Sequence, residues 1–209
     1  MTLDKLRPVV GVVIDPFVSA ADRVGLTPNG ISVIAFVFAV LAGAAYTLAG
    51  VEIGGFGGMA ALYAVGALFV LLNGWMDVLD GALARRQGTD SMAGDLLDHV
   101  LDRYADIVII AGLAAGLEAY LLGLLAVTGV LMTSYLGTQA QAVGLDRVYG
   151  GLVGRADRLA IIGLVTVIAA VVTGPIYGLT LVGWLLVFLA VIGHFTALQR
   201  FYGAMGALD

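Results

Sequence analysis

The sequence predicts an all-α integral membrane protein with six transmembrane helices and an N-terminal juxtamembrane amphipathic helix. Of its 209 residues, 61% are hydrophobic and 12% are charged, and the mean hydropathy is +1.04. Such a composition lies outside the range of soluble globular domains. The apolar runs are long enough for six spans of about 20 residues each. The basic residues also fall on one side of a six-span layout, as membrane insertion favours.

The N-terminal segment, residues 4–23, mixes apolar residues such as Val13 with charged residues such as Arg7. This pattern predicts an amphipathic helix on the membrane surface, bent at Pro16. A short cytosolic helix packed on the spans fits the same pattern. Asp15 and Pro16 interrupt the first apolar run, so we expect no cleavable signal.

The six spans are predicted to form one unit, so that residues 1–209 make a single membrane domain. Thr27 and Pro28 resemble a helix start, with Thr27 as the cap. Gly112 and Gly116 in the third span have the spacing that lets a second helix pack closely against it. The predicted spans cover residues 29–49, 57–80, 93–117, 119–141, 157–174 and 178–201.

The basic residues determine the predicted orientation. Six spans place all ten at or near one membrane face, whereas the short loops of the other face carry Glu52 and Glu118. A five-span layout would divide the basic residues between the faces. We therefore expect a protein of the cytoplasmic (inner) membrane with both termini facing the cytoplasm. The residues are Lys5, Arg7, Arg23, Arg85, Arg86, Arg103, Arg147, Arg155, Arg158 and Arg200.

Composition also excludes several classes of function. The chain has no cysteine, so it holds neither a disulfide framework nor a thiolate metal site. Its formal net charge of −5 argues against a nucleic-acid partner, which requires a basic surface.

Four aspartates lie where the second span ends and the third begins. Asp77 and Asp80 share one helix face, and so do Asp98 and Asp102. An ionisable side chain within a bilayer costs roughly 2.5–3.5 kcal/mol, so a group of them indicates a functional site. A short turn joins the two spans, and four unpaired carboxylates facing one another would repel. Two hard divalent ions, Mg²⁺ or Mn²⁺, would neutralise them and could hold a diphosphate.

Small residues and one arginine complete the pattern D-x2-D-G-x2-A-R-x8-G-x3-D-x3-D. Gly81, Ala84 and Gly94 would let a ligand approach the backbone closely. Arg85 can bind phosphate oxygens in a bidentate manner. The pattern therefore predicts a metal-assisted site for a phosphorylated ligand near the cytoplasmic face.

This pattern resembles the signature of the CDP-alcohol phosphatidyltransferase family of integral membrane enzymes, and every fixed position is present. The resemblance implies that Asp77, Asp80 and Asp98 coordinate two metal ions. Asp102 would act as the general base or complete the metal site. The implied reaction transfers a phosphatidyl-type group from a CDP-linked lipid to an alcohol and releases CMP, in an enzyme expected to be a homodimer. The residues implied in CDP binding are Asp80, Gly81, Ala84, Arg85 and Gly94.

The acceptor region is expected between the fourth and fifth spans. Tyr135, Arg155 and Arg158 resemble residues of the branch that uses inositol phosphate, where the two arginines would hold the acceptor's phosphate. Simple anchoring at the cytoplasmic face is the alternative for both arginines. Gly137 and Gln139 stand where that branch has basic residues. The predicted acceptor is a small soluble alcohol such as inositol phosphate, with glycerol phosphate or another polar alcohol open.

Three polar residues near the pattern have simpler interpretations. Asp95 is interpreted as a helix cap or a solvated residue, and His99 as a hydrogen-bonded residue at the membrane interface. Asp106 lies one turn beyond Asp102 and within reach of Arg103 or Arg158.

Two other functions share some of these features. A membrane prenyltransferase also uses aspartate-rich helices and Mg²⁺ but needs more spans and a different aspartate spacing. A divalent cation transporter would use intramembrane carboxylates, yet no matching acids continue a path across the membrane.

Overall fold

The part of the chain that the computed structural model describes, residues 7–53, 55–89, 91–145 and 152–208, is almost entirely helical. Two strands of two residues each, β1 (Glu52–Ile53) and β2 (Phe56–Gly57), pair antiparallel between the second and third helices. The helices are α1 (Arg7–Arg23), α2 (Pro28–Gly50), α3 (Ala61–Gln87), α4 (Met92–Gly116), α5 (Tyr120–Ala142), α6 (Arg155–Ala169) and α7 (Leu181–Leu208).

Four of the described helices, α2, α3, α5 and α7, are long and apolar enough to cross a membrane. The protein is therefore a multi-pass membrane protein. α4 fails this criterion because its first half carries the acidic residues of the pattern. α6 has only 15 residues, which at 1.5 Å per residue span about 22 Å of a hydrocarbon core about 30 Å thick. The six-span layout and the surface location of α1 remain predictions.

The second predicted span, residues 57–80, differs most from the observed helix. Glycines precede α3, and the positive φ angles of Gly55 (82°) and Gly58 (64°) favour the hairpin over a helical start. The helix then continues past residue 80 until Gly88 takes the left-handed conformation that ends it. The whole first half of the acidic pattern, up to Arg85, therefore lies on one continuous helix.

The connection between α6 and α7 is longer than predicted. Spans were expected at 157–174 and 178–201, yet α6 ends at Ala169. Pro175 disfavours helix at the residue before it. A turn follows in which Tyr177 and Gly178 have positive φ angles, so residues 170–180 form a loop.

Close backbone contact fixes α4 against α2. A Cβ on Gly112 would collide with the backbone of Gly43, and one on Gly116 with the carbonyl oxygen of Tyr46. The predicted glycine spacing thus gives close helix contact. α5 and α7 approach each other in the same way at Gly129 and Gly193.

The amphipathic helix α1 packs on the end of α3. Its buried face meets residues of α2 and α3, and Phe17 makes an edge-to-face contact with Trp75 at 5.2 Å. Arg86 donates a hydrogen bond of 2.7 Å to Ser19. Val13 and Phe17 remain half exposed, as expected of a helix that lies on a membrane surface. The buried cluster contains Ile14, Val18, Ala21, Ile31, Leu79 and Leu83.

Candidate active site

Three carboxylates of the acidic pattern meet where α3 ends and α4 begins. One oxygen from each of Asp77, Asp98 and Asp102 lies within 4.8 Å of the other two. Only residues 88–91 separate α3 from α4, so the end of α3 and the start of α4 lie at the same end of the helix bundle. Three carboxylate oxygens this close suit a hard divalent cation such as Mg²⁺ or Mn²⁺, so three of the four predicted metal donors lie together.

The fourth aspartate, Asp80, contacts α2 with its side chain. It is 6% exposed, and its Oδ2 accepts a 2.6 Å hydrogen bond from the Ser32 hydroxyl on α2. Among the described residues the group of three acids does not include it. Asp80 therefore links the acidic cluster to the start of α2.

Arg155, at the start of α6, lies among the acids. Its Nη1 is 2.8 Å from Oδ2 of Asp77, and its Nη2 is 2.7 Å from Oδ1 of Asp102. The amide oxygen of Asn73, one turn before Asp77, accepts a longer bond of 3.5 Å from Nη2. The guanidinium thus bridges the acid-bearing helices, a position that the sequence did not predict.

Asp106 anchors a second layer of arginines. This buried carboxylate accepts a hydrogen bond of 2.6 Å from Nη2 of Arg158, and Nη1 of Arg103 lies 3.7 Å from the same oxygen. The expected pairing with Arg103 or Arg158 is confirmed for both. Arg103 also donates a hydrogen bond to Ser134 on α5. Because a buried charge is stable only when paired, these contacts fix α6 and α5 next to α4.

A cavity of about 560 Å³ opens beside Asp80 and Asp98. Its size is that of a small-molecule site. The starts of α2 and α4 both lie on its wall, and Ser91 caps α4 by accepting a 3.1 Å bond from the Gly94 amide. Helix starts favour anions. All five residues predicted for CDP binding line this cavity, namely Asp80, Gly81, Ala84, Arg85 and Gly94.

Tyr135 lines a separate pocket of about 290 Å³ between α4 and α5. Its neighbours there include Arg103, Ser134 and Thr138, and its side chain is half exposed. Arg155 and Arg158 do not line this pocket. Of the three residues predicted for the acceptor, Arg155 and Arg158 both lie beside Asp106. Tyr135 lies apart from them, in the pocket that Arg103 also lines.

Residues 25–198 match the family described as CDP-alcohol phosphatidyltransferase. The chain belongs to this family. It is 34% identical over 203 residues to an archaetidylinositol phosphate synthase of Methanothermobacter thermautotrophicus, with 95% of this chain and 91% of the relative covered. The enzyme of the same name from Pyrococcus horikoshii is 30% identical over 208 residues, with 99% and 98% covered.

Solved structures show the same fold. Phosphatidylinositol phosphate synthase of Mycobacterium tuberculosis in complex with manganese and citrate superposes with a TM-score of 0.77 at 25% identity, over 94% of this chain and 92% of that one. Its complex with CDP-DAG gives 0.75 at 26% identity, over 94% and 97%. The chain is therefore a membrane transferase of phospholipid biosynthesis. This assignment favours the transferase over the prenyltransferase and the cation transporter.

Sequence reasoning missed three polar residues of this transferase's site. Asn29 and Ser32 line the cavity from α2, and buried Asn73 donates a 2.9 Å hydrogen bond to the Ala35 carbonyl. Ser32 and Asn73 interrupt otherwise apolar spans, and Asn73 lies four residues before Asp77. The polar residues Ser32 and Asn73 are therefore visible in the sequence as interruptions of apolar spans. Asn29 directly follows the helix start predicted at Thr27 and Pro28, which gives it no separate signal.

Proposed function

We propose that this transferase moves a phosphatidyl-type group from a CDP-linked lipid to the hydroxyl of a phosphorylated polyol and releases CMP. One observation carries the proposal: three clustered carboxylates adjoin a cavity lined by every residue of the pattern expected to contact CDP. The names of the relatives favour an inositol phosphate as the acceptor. Glycerol phosphate is the second candidate.

Asp77, Asp80, Asp98 and Asp102 are the proposed ligands for two Mg²⁺ or Mn²⁺ ions. Carboxylates are the donors that these ions prefer, and the manganese complex of the mycobacterial structure supports a divalent metal here. When bound, such ions would stabilise negative charge on the attacking oxygen of the alcohol and on the oxygen of the departing CMP. Ser32 orients Asp80 by donating to its Oδ2.

The donor's CDP group is proposed to occupy the cavity of about 560 Å³. Arg85 offers a bidentate partner for phosphate, and the starts of α2 and α4 favour negative charge. An apolar groove of about 690 Å³ between α3 and α6 begins next to Asp77 and Arg155. It suits one hydrocarbon chain of CDP-diacylglycerol or CDP-archaeol. The groove walls include Leu68, Leu71, Val78, Leu164 and Val167.

Asp102 is the proposed general base, which accepts the proton of the attacking hydroxyl. Its Oδ1 pairs with Arg155 and its Oδ2 lies 3.6 Å from Arg103. The contact with Arg103 helps to hold the carboxylate in position when the alcohol arrives, as proton transfer requires.

The acceptor's phosphate is proposed to bind the arginines at the start of α6, Arg155 and Arg158, with Tyr135 on the far side of Arg103. Guanidinium groups bind phosphate in two-pronged geometry. Gly137 and Gln139 contribute no charge. Arg103, which donates to Ser134 and lines the pocket of Tyr135, offers a cation to an acceptor that enters between α4 and α5.

The membrane arrangement is proposed to include six spans, with α4 and α6 completing the four apolar helices, and α1 on the membrane surface. Residues 1–209 then form one domain whose termini and active site face the cytoplasm. We also propose a homodimer, by analogy with the family, which analytical ultracentrifugation in detergent tests directly.

The reaction is tested by incubating the purified chain with Mg²⁺ and either CDP-diacylglycerol or CDP-archaeol. Inositol phosphate, glycerol phosphate, inositol and glycerol are offered in parallel, and CMP release is measured. Release that depends on a phosphorylated polyol supports the proposal. Pyrophosphate release from a prenyl diphosphate, or metal flux into liposomes without CMP formation, would contradict it.

A further inference from the structure

Arg155 holds the same carboxylates that a metal ion would bind. Its two terminal nitrogens contact Asp77 at 2.8 Å and Asp102 at 2.7 Å. Both carboxylates belong to the group of three whose oxygens lie within 4.8 Å of one another. Asp102 has no oxygen free of an arginine, because its second oxygen lies 3.6 Å from Arg103.

We propose that Arg155 and the divalent cation compete for Asp77 and Asp102, so that metal binding releases the Arg155 guanidinium from the acids. The inference rests on the proposed metal ligands. A divalent cation needs carboxylate oxygens with free lone pairs, and a guanidinium that forms charge-assisted hydrogen bonds occupies them. The positive charges of the guanidinium and of the divalent cation would also repel each other strongly in a partly buried site.

The surroundings of Arg155 leave it other partners after release. Its Nε has no hydrogen-bond partner among the described residues and lies 3.9 Å from Oδ1 of Asp106. Asn73 lies beside Nη2 on the opposite side. A small rotation of the Arg155 guanidinium would therefore move it from Asp77 and Asp102 to Asp106 while it stays buried. The nitrogens released from Asp77 and Asp102 then become available to the phosphate of the acceptor.

This exchange couples the two halves of the reaction. Metal binding would prepare the arginine for the acceptor, and the acceptor's phosphate, by drawing Arg155 away, would strengthen metal binding by the same factor. Arg155 would then bind the acceptor's phosphate only after the metal site is filled.

A Mn²⁺ titration of the purified full chain, without donor or acceptor, tests the competition. The electron paramagnetic resonance signal of free Mn²⁺ gives the affinity directly. We expect Arg155→Gln to bind Mn²⁺ about tenfold or more tightly than the wild type. Arg155→Lys should fall between them, because one ammonium group cannot bridge both acids. Arg86→Gln is the matched control, since Arg86 contacts Ser19 and Asp22 instead.

Thermal unfolding with and without Mn²⁺ supplies a second measurement. If Arg155 had only a structural role, its replacement would not enlarge the stabilisation by Mn²⁺. Mn²⁺ should raise the melting temperature of Arg155→Gln more than that of the wild type, because tighter binding to the folded state stabilises it more. An unchanged or weaker Mn²⁺ affinity in Arg155→Gln overturns the proposal. If that variant does not fold, the same result in Arg155→Lys overturns it. Failure to release CMP from any CDP-lipid would refute the proposed reaction but would leave this titration unaffected.

Discussion

At the scale of single residues, the site contains a cluster of three carboxylates, two of which contact Arg155, and a separate buried carboxylate, Asp106, that pairs with Arg158. Asp77, Asp98 and Asp102 point their oxygens at one another, whereas Asp106, one turn further along α4, is paired with Arg158. The helical spacing of four residues puts Asp102 and Asp106 on the same face. One face of α4 thus contributes to both the metal site and the arginine layer.

Replacing a carboxylate of the cluster tests the metal site. Asp77→Asn or Asp98→Asn should abolish CMP release and weaken Mn²⁺ binding by more than about 100-fold, since an amide supplies no negative charge. Metal titration and turnover are measured on the same preparation. Asp15→Asn, on the exposed face of α1, should behave like the wild type. Unchanged Mn²⁺ binding in both cluster variants would remove these residues from the metal site.

The base role of Asp102 has a separate signature. Asp102→Asn should keep Mn²⁺ bound through the remaining acids while turnover falls by about 10² to 10⁴, the usual contribution of general base catalysis. The rate at saturating donor and acceptor is the measurement. A rate near that of the wild type would rule the base role out.

The two sides of the site should respond differently to the loss of an arginine. Arg155→Ala should raise the apparent KM for the acceptor phosphate, and Arg85→Ala the apparent KM for the CDP-lipid, each by roughly 10- to 100-fold for a lost charge-assisted hydrogen bond. Steady-state kinetics with each substrate varied in turn compares the variants directly. An unaltered acceptor KM in Arg155→Ala would reduce that residue to a structural role.

At the scale of helices, glycines decide how α4 is held. Gly43 and Gly112 bring the backbones of α2 and α4 into direct contact, as in other membrane helix pairs built on small residues. The acidic face of α4 is consequently fixed relative to the start of α2, where Ser32 meets Asp80.

A single methyl group should disturb this contact. Gly112→Ala is expected to destabilise the folded state by about 1–3 kcal/mol, because its Cβ meets backbone that cannot move aside. The control is Gly203→Ala near the end of α7, where an added Cβ meets nothing within 4 Å and helix propensity should even improve. Thermal unfolding in detergent measures both. Equal melting temperatures would show that α2 and α4 are less tightly packed than described.

The sequence predicted the positions of the helices better than their first and last residues. Hydropathy and spacing placed every helix, because long apolar runs determine membrane spans. They missed both limits of α3 and the end of α6, where glycine and proline conformations decide locally. They also missed the end of α7, which continues past residue 201 to Leu208. Three of the four predicted aspartates cluster, and the five residues expected to contact CDP line one cavity, whereas Asn29 and Ser32 of that cavity were not predicted. The position of Arg155 was not predicted either, because side-chain pairing across 53 to 78 residues leaves no periodic signal in one sequence.

At the scale of the whole molecule, the alternation of helices gathers the charged ends on one side. The end of α3 and the starts of α4 and α6 meet through ion pairs of Arg155 with Asp77 and Asp102. The opposite side holds the small hairpin and the loop at Tyr177. This asymmetry favours the cytoplasmic orientation proposed for the active site.

The absence of cysteine from the chain makes that orientation simple to measure. Tyr177→Cys, in a fully exposed loop position, should react with a membrane-impermeant maleimide in intact cells. Met205→Cys, near the end of α7, should react only after the membrane is permeabilised. The reverse pattern of labelling would place the active site on the outer face.

The packing of α3 and α4 against α2 has an evolutionary consequence. Every described residue that lines the cavity proposed for CDP lies between Pro28 and Asp98, while the proposed acceptor residues Tyr135, Arg155 and Arg158 come later in the chain. The proposed sites for the cytidine nucleotide and for the acceptor are therefore encoded in separate stretches of the gene. Under this proposal, substitutions in the later stretch can change the lipid headgroup that is made without altering the nucleotide site.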